Sequence, residues 1–184
     1  MPRRVAIFDF DGTLFRSPLR PDWWPLDGFW GRLESLSPPF VPGAPGPEWW
    51  ADGVVGAARA AMADPESKAV LLTGRSEGFA PRITDLLHGH GLRFDESHFG
   101  DPSQARTMES KLRVISAIAA RIPGLEVVEI WEDRHDHLDA FAACVQGLGL
   151  MCVAHPVPRA TREVTVDVAE LRRAIAGGDA DGAT

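Results

Sequence analysis

Residues 5–14, VAIFDFDGTL, constrain the fold more than any other stretch, because an apolar run ends in two carboxylates, Asp9 and Asp11, and a Gly-Thr turn. A strand that is apolar on both faces must be covered on both, which is the condition of a strand inside a parallel sheet. Three further runs read the same way: Ala69 to Thr73, Val127 to Trp131 and Leu150 to Ala154. Between the strands lie segments with helical patterning, Val54 to Ala63, Glu77 to His88, Met108 to Ile122 and His135 to Gln146. This alternation predicts an α/β fold, a three-layer Rossmann-like parallel sheet with helices on both faces and ligands at the carboxyl ends of its strands.

Chemistry-bearing residues fall at those ends. Successive side chains of a strand point to opposite faces, so Asp9 and Asp11 are expected to share one face while Phe8 and Phe10 pack on the other. One acid can attack a phosphorus atom while the other shuttles a proton. Gly12 lets the backbone turn closely around a phosphate, and Thr13 adds a hydroxyl donor. The second run closes on Thr73-Gly74-Arg75, where a hydroxyl and free amides can hold a phosphate oxygen. The third closes on Glu132-Asp133-Arg134, a second source of carboxylates for an oxygen-rich magnesium site. Asp136 and His137 follow at the start of a helix, where the acid can equally serve the helix dipole.

The string IFDFDGTLF resembles the first motif of the haloacid dehalogenase-like (HAD) superfamily, and AVLLTGR, about 60 residues later, resembles the second. The resemblance implies that Asp9 is the nucleophile, that Asp11 is the acid and base, and that Thr73 and Lys111 stabilise developing charge. Lys111 stands out because the chain has 17 Arg and two Lys, and a compact ammonium is not interchangeable with a guanidinium. It also implies a Mg2+ ion held by Asp9, Asp11 and Asp133, with Glu132 as the partner of Lys111. Gly12, Thr13, Gly74, Arg75 and Arg134 are the expected substrate-binding residues, and Asp136 and His137 are further candidates. EDRxxH at Glu132 to His137, TGR at Thr73 to Arg75, the Trp49-Trp50 pair and the Pro/Trp segment after the first motif resemble the HAD domain of Swiss Army Knife RNA repair proteins. That similarity is expected from about Arg4 to about Val153. The acidic pair followed by Arg is also similar to the phosphatase half of phage-type polynucleotide kinase-phosphatases.

At 184 residues the chain suits one compact domain over residues 1–176, with a Gly/Ala/Asp-rich tail at 177–184 expected to be disordered. Residues 16–65 carry Trp23, Trp24, Trp30, Trp49 and Trp50 among many prolines. They occupy the place where the superfamily inserts a cap, and are expected to form a small irregular lid. Its tryptophans can stack on a base, wall the site off from water, or simply pack the loop onto the core. The start MPRRVAIFDF runs directly into the first strand, so the expectation is a cytoplasmic protein with no signal peptide or spanning segment. Cys144 and Cys152 lack metal-binding spacing and are expected as reduced thiols. A net charge of −7 opposes broad nucleic-acid binding, because phosphate contacts dominate that affinity. A local pocket lined by Arg16, Arg20, Arg75, Arg82 and Arg134 remains compatible with an RNA end.

These readings converge on a magnesium-dependent phosphomonoesterase, with phosphorylated RNA or DNA ends as the substrate class. The alternatives are a phosphatase of small sugar or nucleotide phosphates, a phosphomutase and a non-enzymatic RNA-repair binding subunit. Haloalkanoate dehalogenation, which needs no second acid at the position of Asp11 and no metal, is disfavoured. A partner RNA ligase or kinase is left open.

Overall fold

The computed structural model describes residues 2–24, 28–100, 107–165 and 169. The 177–184 tail lies outside the described residues. The strands are β1 (Arg4–Phe8), β2 (Ser17–Pro18), β3 (Ser67–Ser76), β4 (Glu96–Gly100), β5 (Val127–Glu132), β6 (Met151–Pro156) and β7 (Thr161–Arg162). The helices are α1 (Asp52–Ala63), α2 (Ala80–Gly89), α3 (Thr107–Arg121) and α4 (His135–Gly147). Five parallel strands form the main sheet in the order β4-β3-β1-β5-β6, and β2 pairs with β7 beside it. The chain winds outward from β1 to β3 and β4, then returns to the other side of β1 for β5 and β6. Such a reversal opens a crevice at the strands' carboxyl ends.

The alternation of β1 sorts two cores. Ala6 and Phe8 pack with Leu71 of β3, Val55 and Ala58 of α1, and Ile83, Leu86 and Leu87 of α2. Val5 and Ile7 pack on the opposite face with Val70, Val128 and Ile130, Ile115 and Ile118 of α3, and Leu138, Phe141 and Val145 of α4. The last part of the 16–65 segment is the helix expected at Val54 to Ala63, α1, which is laid on the sheet and takes no part in an irregular lid.

Several boundaries differ from the sequence reading. β1 stops at Phe8, because the backbone turns there into a loop in which the Leu14 and Phe15 amides donate to the Phe10 carbonyl. β3 runs on to Ser76, with a register shift against β4 between Leu72 and Ser76. β4 itself carries Glu96, Ser97 and His98 at an edge, so burial never imposed an apolar pattern on it. The helix read from Glu77 begins as a 3-10 turn, Glu77–Phe79, before α2.

Residues 28–50 contain three 3-10 turns and no strand of the main sheet. Trp24, Phe29 and Phe40 form a separate buried cluster through edge-on ring contacts. Arg82 of α2 donates to the carbonyls of Leu36, Pro42 and Gly43, which fastens this segment to the domain.

Candidate active site

The carboxyl ends of β1, β3 and β5 meet at a cavity of about 490 Å3. Asp9 follows β1 directly and its amide donates to the Trp131 carbonyl, so the nucleophile candidate is held to the neighbouring strand. Lys111, buried in α3, donates to Asp9 Oδ1 at 2.7 Å and to Glu132 Oε2 at 2.7 Å. Thr13 donates to Asp9 Oδ2 at 3.4 Å. Asp133 lies alongside, and ligand oxygens of Asp9, Glu132 and Asp133 all fall within 4.8 Å of one another. Arg159 Nε approaches Asp133 Oδ2 at 3.2 Å.

The electrostatics follow from two buried acids, Asp9 and Glu132, around one ammonium, with the half-buried Asp133 beside them. Burial, reinforced by Glu132 and Asp11, pushes the Asp9 carboxyl up to about 7 despite Lys111. Burial also raises Glu132, and burial with the Asp9 charge raises Asp133. Lys111 moves the other way, because Asp9 and Glu132 outweigh the burial that would lower it. Three carboxylates whose oxygens lie within 4.8 Å of one another outnumber the single Lys111 ammonium, and a hard divalent cation with oxygen ligands is what such a donor set accommodates. The residues present therefore fit a magnesium site in which Asp9 and Asp133 would be the ligands and Glu132 would stay with Lys111.

Asp11 is not brought to that cluster. The strand ends before it, so the shared face expected from alternation does not extend to residue 11. Arg75 Nε and Nη2 donate to its two oxygens at 2.9 Å and 2.7 Å, and Ser17 Oγ donates to Oδ1 at 2.6 Å. Burial alone would raise Asp11, but Arg75 and then the Ser17 hydroxyl outweigh it and hold the carboxyl below the usual range. The sequence reading gave Arg75 to the substrate. In the structure its guanidinium is occupied by Asp11, the Trp30 carbonyl and Ser35 Oγ.

The glycines have defined work. Gly12 has φ of +74°, and a Cβ there would come within 2.7 Å of Asp133 Oδ2. A side chain at this position would both strain the turn and displace a candidate ligand. A Cβ on Gly74 would lie 2.7 Å from Thr107 Cγ2, so a side chain there would force Thr107 to shift. The remaining candidates divide. Gly74, Arg134 and His137 line the cavity, whereas Thr13 and Thr73 lie behind its lining. Thr73 Oγ1 accepts the Arg75 amide and braces the turn. Asp136 is largely exposed beside Arg134 and does not line the cavity. His137 is buried with Nδ1 unpartnered, and burial, then the Arg134 charge, lowers it to about 4.

Of the five tryptophans named from the sequence, Trp30 lines the cavity. Trp24, Trp49 and Trp50 are buried packing residues, and Trp23 is exposed. Two contributors had no sequence signal. Ser17 lies just past the motif, and Arg159 reaches Asp133 from 26 residues away, where no local spacing links them.

A parallel α/β sheet with a lysine-bridged acid cluster at its carboxyl edge defines the class of site. The chain belongs to HAD domain family 1 in Swiss Army Knife RNA repair proteins, which matches residues 41–175, well over half of it. The match thus starts after the Asp9–Asp11 motif and ends later than the span expected from sequence. The fold is also similar to a chain of the Pnkp1/Rnl/Hen1 complex, with TM-score 0.53 and 18% identity over 84% of this chain. This chain spans 47% of that one's length. The HAD domain of effector protein Lem4 from Legionella pneumophila is similar with TM-score 0.52 and 14% identity, covering 96% of this chain and 94% of the other. At these identities the solved structures speak to the fold alone.

Proposed function

We propose that this chain is a magnesium-dependent phosphomonoesterase that forms an aspartyl-phosphate on Asp9 and acts on phosphorylated RNA or DNA ends. The observation that carries this reading is the Asp9–Lys111–Glu132 ion cluster with Asp133 beside it, at the floor of a cavity whose walls carry Arg134, Arg159 and Trp30. A hydrolase of the HAD type needs such a nucleophile at a strand end.

In the first step an Asp9 oxygen attacks phosphorus, the bond from phosphorus to the leaving oxygen breaks, and that oxygen takes a proton from Asp11. In the second, Asp11 takes a proton from water, whose oxygen attacks the phosphorus and releases Asp9 and inorganic phosphate. The Arg75 clamp favours the ionised Asp11 that the second step uses, so the first step draws on its minority protonated form. Lys111 orients Asp9 and carries positive charge beside the incoming phosphate. Bound Mg2+ supplies the charge neutralisation that lets a dianionic phosphate approach these acids.

The nucleic-acid part is supported by family membership, by Trp30 in the cavity wall and by the arginines at its mouth. A fold-similar chain comes from a Pnkp1/Rnl/Hen1 RNA repair complex, which makes an RNA ligase the partner class to test. Cys144 and Cys152 are free thiols, and a cytoplasmic setting is part of the proposal. No helix among the described residues is long and apolar enough to cross a membrane.

The test is phosphate release from 3′- and 5′-phosphorylated RNA and DNA oligonucleotides, mononucleotides, sugar phosphates and an aryl phosphate, with Mg2+ and with excess chelator. Release that needs Mg2+ and favours the oligonucleotides supports the reading. Preference for sugar phosphates rejects the nucleic-acid part, and full activity in chelator rejects the metal.

A further inference from the structure

A second cavity of about 710 Å3 opens beside the catalytic one, and Arg159 lines both. Its floor is the end of an aromatic ladder. Phe8 of β1 stacks on Trp131 of β5 at 4.3 Å between ring centroids, and Trp131 stacks on His155 of β6 at 4.1 Å with the planes 7° apart. These residues are direct cross-strand partners. β6 is the edge strand of the sheet, so among the described residues no further strand continues the ladder beyond His155. The His155 side chain is 36% exposed, and its Nε2 faces Glu129 Oε2 at 3.2 Å, which fixes the ring plane.

We infer that this groove is a nucleobase and phosphodiester subsite for the nucleotide adjoining the scissile phosphate of a single-stranded nucleic-acid end, with His155 as the stacking platform. The inference rests on the phosphatase reading and adds how substrate length is sensed. Charge complementarity selects the occupant. Arg16 and Arg159 line the groove with one acid, Asp52, while Asp133 holds Arg159 Nε and Glu129 lies behind His155, in a chain whose net charge is −7. Arg16 uses Nε on the Trp50 carbonyl, which orients the guanidinium. Among the described residues its terminal nitrogens have no hydrogen-bond partner, and a fork of donors suits phosphate oxygens. An aromatic face flanked by arginines is the arrangement that binds single strands without reading their sequence. The two cavities are also contiguous. The ladder lies on the α1 face of the sheet and the Asp9 carboxylate meets Lys111 of α3 on the other, and Arg159 lines both cavities at the strands' carboxyl ends.

The full chain tests this by two independent readouts. In the first, fluorescein-labelled RNA and DNA decanucleotides are titrated against Asp9→Asn protein in Mg2+, and anisotropy reports Kd. Adding His155→Ala should weaken binding about tenfold, the scale of one stacked base. His155→Phe, which keeps a ring on the ladder, should restore it. Arg16→Gln should weaken binding and reduce its salt dependence by about one phosphate contact. In the second, the ratio of kcat/KM on a phosphorylated decanucleotide to that on an aryl phosphate should fall about tenfold in His155→Ala.

Unchanged oligonucleotide Kd in both His155→Ala and Arg16→Gln overturns the inference. So does equal wild-type efficiency on mononucleotide and decanucleotide phosphates, which leaves the phosphatase reading standing. Absence of phosphate release from every substrate instead removes the phosphatase reading, and the anisotropy measurement still decides the groove.

Discussion

The floor of the site and the wall above it are built by opposite means. The floor sits on β1, β3 and β5, whose backbone ladders fix the positions of Asp9, Glu132 and Asp133 before any side chain interacts. The wall, residues 28–50, has only three short 3-10 turns and is held by side chains. The ring cluster of Trp24, Phe29 and Phe40 fills it. Two arginines, Arg75 and Arg82, bind its carbonyls from β3 and α2. Rigid backbone therefore carries the charged groups that must be placed accurately, while an aromatic segment shapes access. Arg75 joins the two regions, because one guanidinium holds Asp11 of the floor and Trp30 and Ser35 of the wall.

The largest effect should come from the floor alone. Asp9→Asn removes the nucleophile but preserves shape, so turnover of an aryl phosphate should fall by more than about 10⁴-fold while circular dichroism and melting stay native-like. Activity retained in this variant would remove Asp9 from the chemistry.

Cutting the link comes next. Arg75→Ala leaves a part-buried Asp11 without its cation and frees the wall, and should cost about 3–5 kcal/mol in urea denaturation. Arg75→Lys should not restore it, because a single ammonium cannot make the paired contacts. A loss of activity with unaltered stability would mean that Arg75 serves substrate rather than structure.

Within the wall, packing and recognition can be separated. Phe40→Ala should cost about 3–5 kcal/mol of stability, as for other buried aromatics, and change substrate preference little. Trp30→Ala should do the reverse, losing about tenfold in kcat/KM on oligonucleotides with a smaller loss on an aryl phosphate. Equal losses on both substrates would make Trp30 a packing residue too.

The smallest effect concerns His137, whose proton affinity is depressed to about 4 in the fold. An unfolded histidine takes a proton near pH 6.5, so the unfolded chain binds more protons between about pH 6.5 and about 4. The stability from keeping His137 neutral is thus complete above pH 6.5 and is lost as pH falls through that window. His137→Gln should remove about one proton's worth of this slope from urea midpoints measured across pH. An identical slope in the variant would show that His137 stays accessible to protons.

Much of the floor was legible in the sequence because its causes are local. An apolar run that must be buried on both faces announces a parallel strand, and an acid at its end announces the active edge. Lys111 was legible by its rarity and helical setting. The edge strand β4 was not, since Glu96, Ser97 and His98 bear no apolar pattern. Nor was the place where β1 ends, which a turn after Phe8 decides.

By itself the sequence determined four of the sheet's five strands, the helical cover on both its faces and the strand ends that carry Asp9, Thr73 and Glu132-Asp133, since periodicity and burial act over a few residues. Only the tertiary structure decided the partners: Arg75 for Asp11 across 64 residues, Arg159 for Asp133, and Trp30 rather than its four neighbours for the cavity. Ion pairs and ring contacts between distant segments depend on how those segments are brought together, and no spacing along the chain encodes that.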